Sequence, residues 1–190
     1  MDLPQRCRRI WIVGPTGSGK STLARKLGAE LSIPVWHLDE IYHLPGWKSI
    51  RPPEFLSRVD SITSDSEWIV DGNYGTVRQP FMPRADLIIW LDLPLRMTLP
   101  RLLFRSLRRI IRRQPCCNGN YETFRQTFFS RQSILWWAIS TDGRRLRFLE
   151  AETKNRPHLR VRSSAELKRR LPMLIANCRA DATIEQQVTG

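Results

Sequence analysis

The chain has 190 residues, of which 31 are Lys or Arg and 18 are Asp or Glu, so its formal net charge is +13. This length is typical of one domain, and a hydrophobic content of 41% is enough for a packed core, which excludes a wholly disordered chain. No uncharged apolar run reaches the roughly 18 residues that a membrane-spanning helix needs, so no such helix is predicted.

The basic residues have an unusual composition, because 26 of the 31 are arginine and five are lysine. A guanidinium group suits bidentate phosphate recognition better than an ammonium group does. A biased genome composition is the alternative explanation. The positive balance favours polyanionic partners in general and does not choose among nucleotides, nucleic acid and a membrane surface.

The cysteines do not follow a metal-binding pattern. Cys116 and Cys117 are adjacent, no C-x-x-C spacing occurs and the chain has three histidines, so no zinc site is expected. The default compartment for such a chain is a reducing one, and the predicted location is the cytoplasm.

Short apolar runs that end near Gly, Asp or Pro predict buried strands. The first run, RIWIV, stops at a glycine, and the run ADLIIWLDL is the longest. In chain order the predicted strands are Arg9–Val13, Pro34–Leu38, Glu67–Val70, Ala85–Leu93 and His158–Arg162.

Helical patterns lie between these runs, as in the leucines at i, i+4 and i+8 before residue 32. The predicted helices are Gly19–Leu31, Pro52–Ile62, Leu95–Arg113, Tyr121–Ile139 and Ser164–Ala176. Strands that alternate with helices predict an α/β fold with a parallel sheet covered on both faces. We expect one domain over residues 1–180, with a lid or insert at about 112–140, and a flexible tail at 181–190.

The loop after the first strand carries the strongest signal in the chain. Gly14–Ser21 matches G-x-x-x-x-G-K-[ST] and lies between a predicted strand and a predicted helix. Its glycines allow the backbone N–H groups to turn toward an anion, and the helix start adds a positive dipole. We expect ATP or GTP to bind Gly14, Pro15, Thr16, Gly17, Ser18, Gly19, Lys20, Ser21 and Thr22.

Three aspartates fall at predicted strand ends, the edge where ligands of parallel sheets bind. Asp71 is the candidate for holding a magnesium-bound water together with the Ser21 hydroxyl. Asp39 is the candidate for orienting or deprotonating an acceptor hydroxyl. Turn or cap aspartates are the alternative for all three, and Asp92, two residues before a proline, fits that alternative best.

The predicted helix from Leu95 is rich in arginine. Arg101, Arg105, Arg108, Arg109 and Arg112 are spaced as one stripe, and the expected core-facing stripe is Leu99, Leu103, Leu107 and Ile110. The helix starts near the predicted nucleotide, so Arg101 and Arg105 are candidates for contacting base or phosphate. A solvated charged face and a nucleic-acid-binding surface are the alternatives for the arginines of this helix.

Two features lie around Asp39. Trp47 is a candidate for lining an acceptor pocket, with core packing as the alternative. His37 and His43 flank Asp39, and without a companion that completes a metal or catalytic set we expect them to be structural.

Four segments together resemble a known group: Gly14–Thr22, Pro34–Trp47, Trp68–Gly75 and Arg84–Pro94. They resemble the bacterial P-loop kinase-like proteins, often labelled topology modulation proteins or adenylate-kinase-related ATPases. The resemblance implies a nucleoside-monophosphate-kinase-like three-layer sandwich. Its five-stranded parallel sheet has the order 2-3-1-4-5 and it carries a helical lid.

The match to adenylate kinases themselves is partial. Asp71-Gly72 matches that family's Asp-Gly, and Arg101 and Arg105 follow Asp92 at the spacing of its nucleotide- and phosphate-contacting arginines. The pattern then departs, since Asn73-Tyr74-Gly75 replaces Phe-Pro-Arg and the next arginine is Arg78. The resemblance therefore does not assign AMP as the acceptor.

The resulting expectation is an ATP- and Mg²⁺-dependent kinase that acts on a small nucleoside- or nucleotide-like acceptor. The acceptor is expected between the Asp39–Trp47 loop and the Asp71–Arg78 turn. The alternatives are a nucleotide-dependent regulator that binds DNA or RNA, and an ATP-binding module with little catalysis. The predicted catalytic residues are Lys20, Asp39, Asp71, Arg101 and Arg105, and the predicted metal ligands are Ser21 and Asp71.

Overall fold

A computed structural model describes residues 7–125, 127 and 148–188 of the chain. Its central sheet has five parallel strands: β1 (Arg9–Val13), β2 (Val35–His37), β3 (Trp68–Asp71), β4 (Leu87–Leu91) and β5 (His158–Val161). They are arranged in the order β2-β3-β1-β4-β5. This arrangement confirms the predicted fold class, including the order 2-3-1-4-5.

Helices flank the strands on both faces. They are α1 (Lys20–Leu31), α2 (Leu38–Tyr42), α3 (Pro52–Ser64), α4 (Gly75–Phe81), α5 (Leu95–Ile111) and α6 (Ser164–Val188), and residues 148–153 are also helical. The last helix continues past the predicted end at Ala176. The helix at residues 148–153 was not predicted, nor were α2, which is a little over one turn long, and α4, which contains a proline.

Two short antiparallel ribbons complete the described chain. The first ribbon pairs His43–Leu44 with Lys48–Ser49, and the second pairs Pro115–Cys116 with Asn120–Tyr121. The predicted helix Tyr121–Ile139 therefore does not begin at Tyr121, and most of that segment lies outside the described residues, as does about half of the predicted lid. Within the described residues, no helix is both long and apolar enough to cross a bilayer.

The strand β1 shows why the sheet is covered on both sides. Ile10 and Ile12 face a cluster that includes α1 and α6, whereas Trp11 and Val13 face a second cluster that includes α3 and α4. All four side chains are fully buried. Burial of each large apolar side chain contributes about 1.5–3 kcal/mol, so the two clusters hold the helices on opposite faces as three layers.

Parallel pairing brings the carboxyl ends of the strands to one edge of the sheet. In the register, His37 of β2 lies opposite Asp71 of β3, and Asp71 lies opposite Ile12 of β1. The phosphate-loop sequence follows β1 directly. The fold therefore gathers the loop, Asp71 and the start of α2 at one place.

Gly72, directly after β3, makes a close contact that only a glycine permits. Its φ is +150°, and a Cβ atom here would lie 2.7 Å from the Cβ of Leu38. We expect Gly72→Ala to lower the free energy of unfolding by about 1–3 kcal/mol through backbone strain and overpacking. Urea denaturation measures this effect.

Gly75→Ala is the matched control, because a Cβ at Gly75 meets no atom within 4 Å. It also replaces glycine by a better helix former at the start of α4. Equal destabilisation by the two variants would contradict the assignment of a steric role to Gly72.

Candidate functional site

The phosphate-loop sequence forms a backbone turn that only glycines fit closely. A Cβ on Gly14 would lie 2.5 Å from the carbonyl oxygen of Leu91, and a Cβ on Gly17 would lie 2.6 Å from that of Thr98. Both residues have positive φ, as does Gly19, the N-cap residue of α1. The N-terminal N–H groups of α1 therefore point into the turn, which is the arrangement that binds phosphate.

The side chains of this loop supply further donors. The Lys20 ammonium donates to the carbonyl oxygens of Gly14 and Pro15, both at 3.0 Å, so the lysine lies across its own loop. The hydroxyl of Ser18 is buried without a hydrogen-bond partner among the described residues. A buried polar group without a partner is costly, and a phosphate oxygen would satisfy it.

Asn73 holds this loop from the neighbouring strand end. Its side-chain Oδ1 accepts a hydrogen bond of 3.1 Å from the Gly14 N–H, and its Nδ2 donates to the Gly14 carbonyl. Both polar groups of Gly14 are thus bound by one amide. The sequence analysis did not assign Asn73 a role, although its place in the run Asp-Gly-Asn after a strand is a usable signal.

Helix α5 closes the other side of the loop. Its fully buried positions are Thr98, Leu102 and Ser106, spaced four residues apart, and Thr98 and Leu102 lie against Gly17. The predicted core-facing stripe (Leu99, Leu103, Leu107 and Ile110) is only partly buried, so that prediction is wrong. The close approach of the α5 backbone at Thr98 requires a glycine at position 17. Two of the three buried positions are Thr and Ser, so hydrophobic periodicity does not reveal this face.

The arginines of α5 do not form one uniform stripe. Arg101, Arg108 and Arg112 are exposed, whereas Arg105 and Arg109 are half-buried. Arg109 pairs with Glu122 at 2.8 Å, and an Nη of Arg101 donates to Ser164 Oγ at 3.1 Å. Of the two predicted nucleotide-contacting arginines, Arg101 therefore lies on the open side and Arg105 on the enclosed side.

The predicted metal ligands are brought together. Ser21 Oγ, in the first turn of α1, donates to Asp71 Oδ2 at 2.7 Å. His37 Nδ1 lies 2.5 Å from the other oxygen, Asp71 Oδ1. The hydrogen bond to Asp71 raises the pKa of His37 above its ordinary value, and burial partly opposes that rise. The sequence analysis treated His37 as structural, and the structure places it in direct contact with the site.

Asp39 lies in the first turn of α2 instead of at the end of a strand. Its Oδ1 accepts a 2.8 Å hydrogen bond from the Tyr74 hydroxyl, which also lies 3.4 Å from His43 Nε2. Burial, and then the charge of Asp39, raises the pKa of Tyr74, so the phenol keeps its proton and orients the carboxylate. Asp39 itself is exposed.

Arg105 of α5 is close enough to Asp39 to feel its charge. Its Nε atom is buried and has no hydrogen-bond partner among the described residues. Burial, followed by the like charge of Arg109, lowers the pKa of Arg105, while Glu122 and Asp39 act in the opposite direction. A guanidinium held in this way is poised to take an anionic partner.

The second ribbon is docked onto the segment that carries Asp39. Asn118 Nδ2 donates to the carbonyls of Glu40 and His43, at 2.5 and 2.7 Å. Asn120 is buried, accepts from the Trp47 N–H at 2.9 Å and donates to the Leu44 carbonyl at 3.0 Å. Trp47, the candidate pocket residue, also takes part in this docking, because its indole N–H donates to the Tyr121 carbonyl at 3.1 Å.

Asp92 is engaged in an ion pair. Arg160 of β5 contacts its Oδ2 at 2.9 Å through Nε and 2.8 Å through Nη2, and the guanidinium lies 4.0 Å from the ring centre of Trp90. These contacts join β4 to β5 and give Asp92 a packing role at the sheet edge.

With this geometry in place, the chain can be compared with known proteins. No protein-family model and no curated protein matches it. A shikimate kinase from Bacteroides thetaiotaomicron superposes with a TM-score of 0.54 at 17% identity, over 88% of this chain and 98% of its own. A gluconokinase from Sinorhizobium meliloti gives 0.52 at 15% identity, over 96% and 98%.

A deoxyadenosine kinase from M. mycoides with bound dATP gives a TM-score of 0.52 at 10% identity, over 87% of this chain and 98% of that one. Identities this low show the fold and nothing finer. The chain therefore has the P-loop NTPase fold with a nucleoside-kinase-like sheet.

Arg78 is buried beside the Asn73 turn and forms an ion pair. Its Nε donates to Glu152 Oε2 at 2.7 Å and its Nη1 to the Asn73 carbonyl at 3.2 Å. We expect Arg78→Met to lower the free energy of unfolding by about 2–4 kcal/mol, since it leaves the carboxylate of Glu152 without its partner. Arg58→Ala, which breaks an exposed i, i+4 pair with Glu54, is the control and should cost under about 1 kcal/mol.

Chemical denaturation of both variants measures the difference. The double variant Arg78→Met with Glu152→Met should recover part of the loss, because no charge is then left unpaired. An Arg78→Met protein as stable as the Arg58→Ala protein would contradict this account.

Proposed function

We propose that this protein is a Mg²⁺- and ATP-dependent kinase that transfers a phosphoryl group to a small acceptor of the nucleoside or nucleotide type. The observation that carries the proposal is the meeting of three groups at one sheet edge. These groups are the glycine turn with Lys20, the Ser21–Asp71 pair, and Asp39 beyond them. Kinases of small molecules among the structural neighbours are consistent with it.

ATP would bind through its phosphates. The loop N–H groups and the start of α1 surround the position of a phosphate, and the Lys20 ammonium is within reach of it. Ser21 and Asp71 would hold Mg²⁺, for which a hydroxyl and a carboxylate beside phosphate oxygens are the usual ligands. When bound, the metal supplies neutralisation of charge on the phosphates.

Asp39 would act on the acceptor. Its carboxylate is exposed and oriented by the Tyr74 hydroxyl, so it is able to accept the proton of an acceptor hydroxyl. Arg105, half-buried and with an Nε that no described residue pairs, would neutralise negative charge on the transferred group. The acceptor would then bind at its predicted position, between the Asp39–Trp47 segment and the Asp71–Arg78 segment.

A screen for acceptor-dependent ADP release tests this proposal. Purified protein with Mg-ATP is offered nucleosides, nucleoside monophosphates, sugars and hydroxy acids, and ADP is measured against a control without acceptor. At least one nucleoside-like compound should stimulate ADP release, and Asp39→Asn should remove that stimulation while ATP still binds. ATP binding with no stimulation by any compound would contradict the proposal.

Lys20→Ala tests the nucleotide site independently of the acceptor. Loss of a charge-assisted contact of about 1.5–3 kcal/mol predicts ATP affinity reduced by about tenfold to a hundredfold. Lys26→Ala, on an exposed turn of the same helix, is the matched control. An unchanged affinity in the Lys20 variant, measured by calorimetry, would show that the loop is not the ATP site.

The alternative of a nucleic-acid-binding regulator, which the topology modulation label also suggests, has one structural observation in its favour. Arg101, Arg108 and Arg112 share the exposed side of α5 with Phe104. Binding of DNA or RNA through this side should weaken steeply as salt rises, because each neutralised phosphate releases counterions. A flat salt dependence, or no binding at moderate salt, argues against this alternative.

A further inference from the structure

We infer that His37 is a positioning residue for the metal site: it holds the Asp71 carboxylate so that Oδ2 faces Ser21. This inference rests on the proposed Mg-ATP site and assigns that site a third residue, from a strand of its own. The motif at the phosphate loop does not contain it, and the sequence alone gives it no function.

The register of the sheet places His37 where it is able to do this. His37 is the last residue of β2, and its Cα is paired with that of Asp71, the last residue of β3. Neighbouring residues of adjacent parallel strands present their side chains to the same face of the sheet. The histidine is thus fixed beside the carboxylate by the hydrogen bonds of the sheet.

The two oxygens of Asp71 then have separate partners. His37 Nδ1 lies 2.5 Å from Oδ1, and Ser21 Oγ lies 2.7 Å from Oδ2. An ionised carboxylate only accepts hydrogen bonds, so Nδ1 is the donor. The χ2 torsion of an aspartate is otherwise broad, and two donors on opposite oxygens restrict it to one setting.

Burial makes this restriction matter. Asp71 is 4% exposed, so water cannot readily replace a lost partner. Partners of this kind orient the groups that ligate a metal, and their loss typically costs about tenfold to a hundredfold in metal affinity. Without the His37 donor, the carboxylate is free to turn away from Ser21 toward the vacated space.

His37 also connects the two halves of the site. It directly precedes α2, whose second residue is Asp39. Leu38, between them, packs against Gly72, the residue that follows Asp71. A side-chain contact from His37 to Asp71 therefore ties the start of the acceptor-side helix to the strand that carries the metal-binding carboxylate.

The test measures nucleotide binding, not turnover. ATP affinity is determined by calorimetry with excess Mg²⁺ and again in EDTA, and the ratio of the two affinities reports the contribution of the metal. His37→Leu keeps a side chain of similar size but removes the donor. His37→Asn restores a donor, because its Nδ2 occupies the position of Nδ1. Ser21→Ala serves as the reference for loss of a proposed metal ligand.

We expect the metal enhancement of His37→Leu to fall by about tenfold or more, approaching that of Ser21→Ala. His37→Asn should retain most of the enhancement, and affinity in EDTA should be nearly equal for all four proteins. That pattern is specific to positioning, since a general packing defect would lower affinity in EDTA as well. Melting curves check that each variant is folded. The metal enhancements of His37→Leu and His37→Asn are compared with each variant's own affinity in EDTA, so the two variants need not be equally stable.

Two results would overturn the inference in distinguishable ways. An enhancement that survives fully in His37→Leu removes His37 from the metal site and leaves the proposed kinase function intact. Absence of ATP binding, or of any metal enhancement, in the unmutated protein overturns the proposed function and the inference together. Equal loss in the Leu and Asn variants also contradicts the inference, because the donor would then be irrelevant.

Discussion

The site depends on how closely the backbone packs around Gly14. Its carbonyl and N–H are both bound by the side chain of Asn73, and the Lys20 ammonium donates to the same carbonyl. The Leu91 carbonyl oxygen lies only 2.5 Å from the position that a Cβ would take. Three strands of the sheet meet through these contacts, since β1 precedes Gly14, β3 precedes the Asn73 turn and β4 ends at Leu91. A larger residue at Gly14 would force them apart.

From this contact the rest of the site follows by short connections. The turn that carries Asn73 also positions Tyr74, which orients Asp39, and Arg78, which anchors the turn to Glu152. On the other side, the α5 backbone at Thr98 packs against Gly17, and the far end of that helix leads into the second ribbon. The ribbon returns through Asn118 and Asn120 to the segment that follows Asp39. The phosphate side and the acceptor side are therefore joined twice, once through the Asn73 turn and once through α5 and the second ribbon.

The charge of +13 has a more specific distribution than the composition suggests. Many described arginines are paired within the fold, as Arg9 with Asp86, Arg78 with Glu152 and Arg160 with Asp92. Such pairs tie strand ends and helices together. Arg105 differs, because it is half-buried and its Nε has no hydrogen-bond partner in the part of the chain that the structure describes. Arginines that form ion pairs within the fold thus account for part of the excess of basic residues. The arginines of α5 divide into an exposed set and a half-buried set.

The sequence by itself determined the strands, the glycine turn and the meeting of Ser21 with Asp71, because these follow from apolar runs, a complete motif and the edge of a parallel sheet. The order of the strands was expected only from the resemblance to a known family. The sequence did not reveal α2, α4, the helix at residues 148–153 or the buried face of α5, since short helices have no readable period and two of the three buried positions of α5 are polar. Only the tertiary structure placed His37 on Asp71, Asn73 on Gly14 and Asn120 on Leu44. These contacts join residues distant in the chain, and side chains that hydrogen-bond across strands leave no periodic signal in either strand.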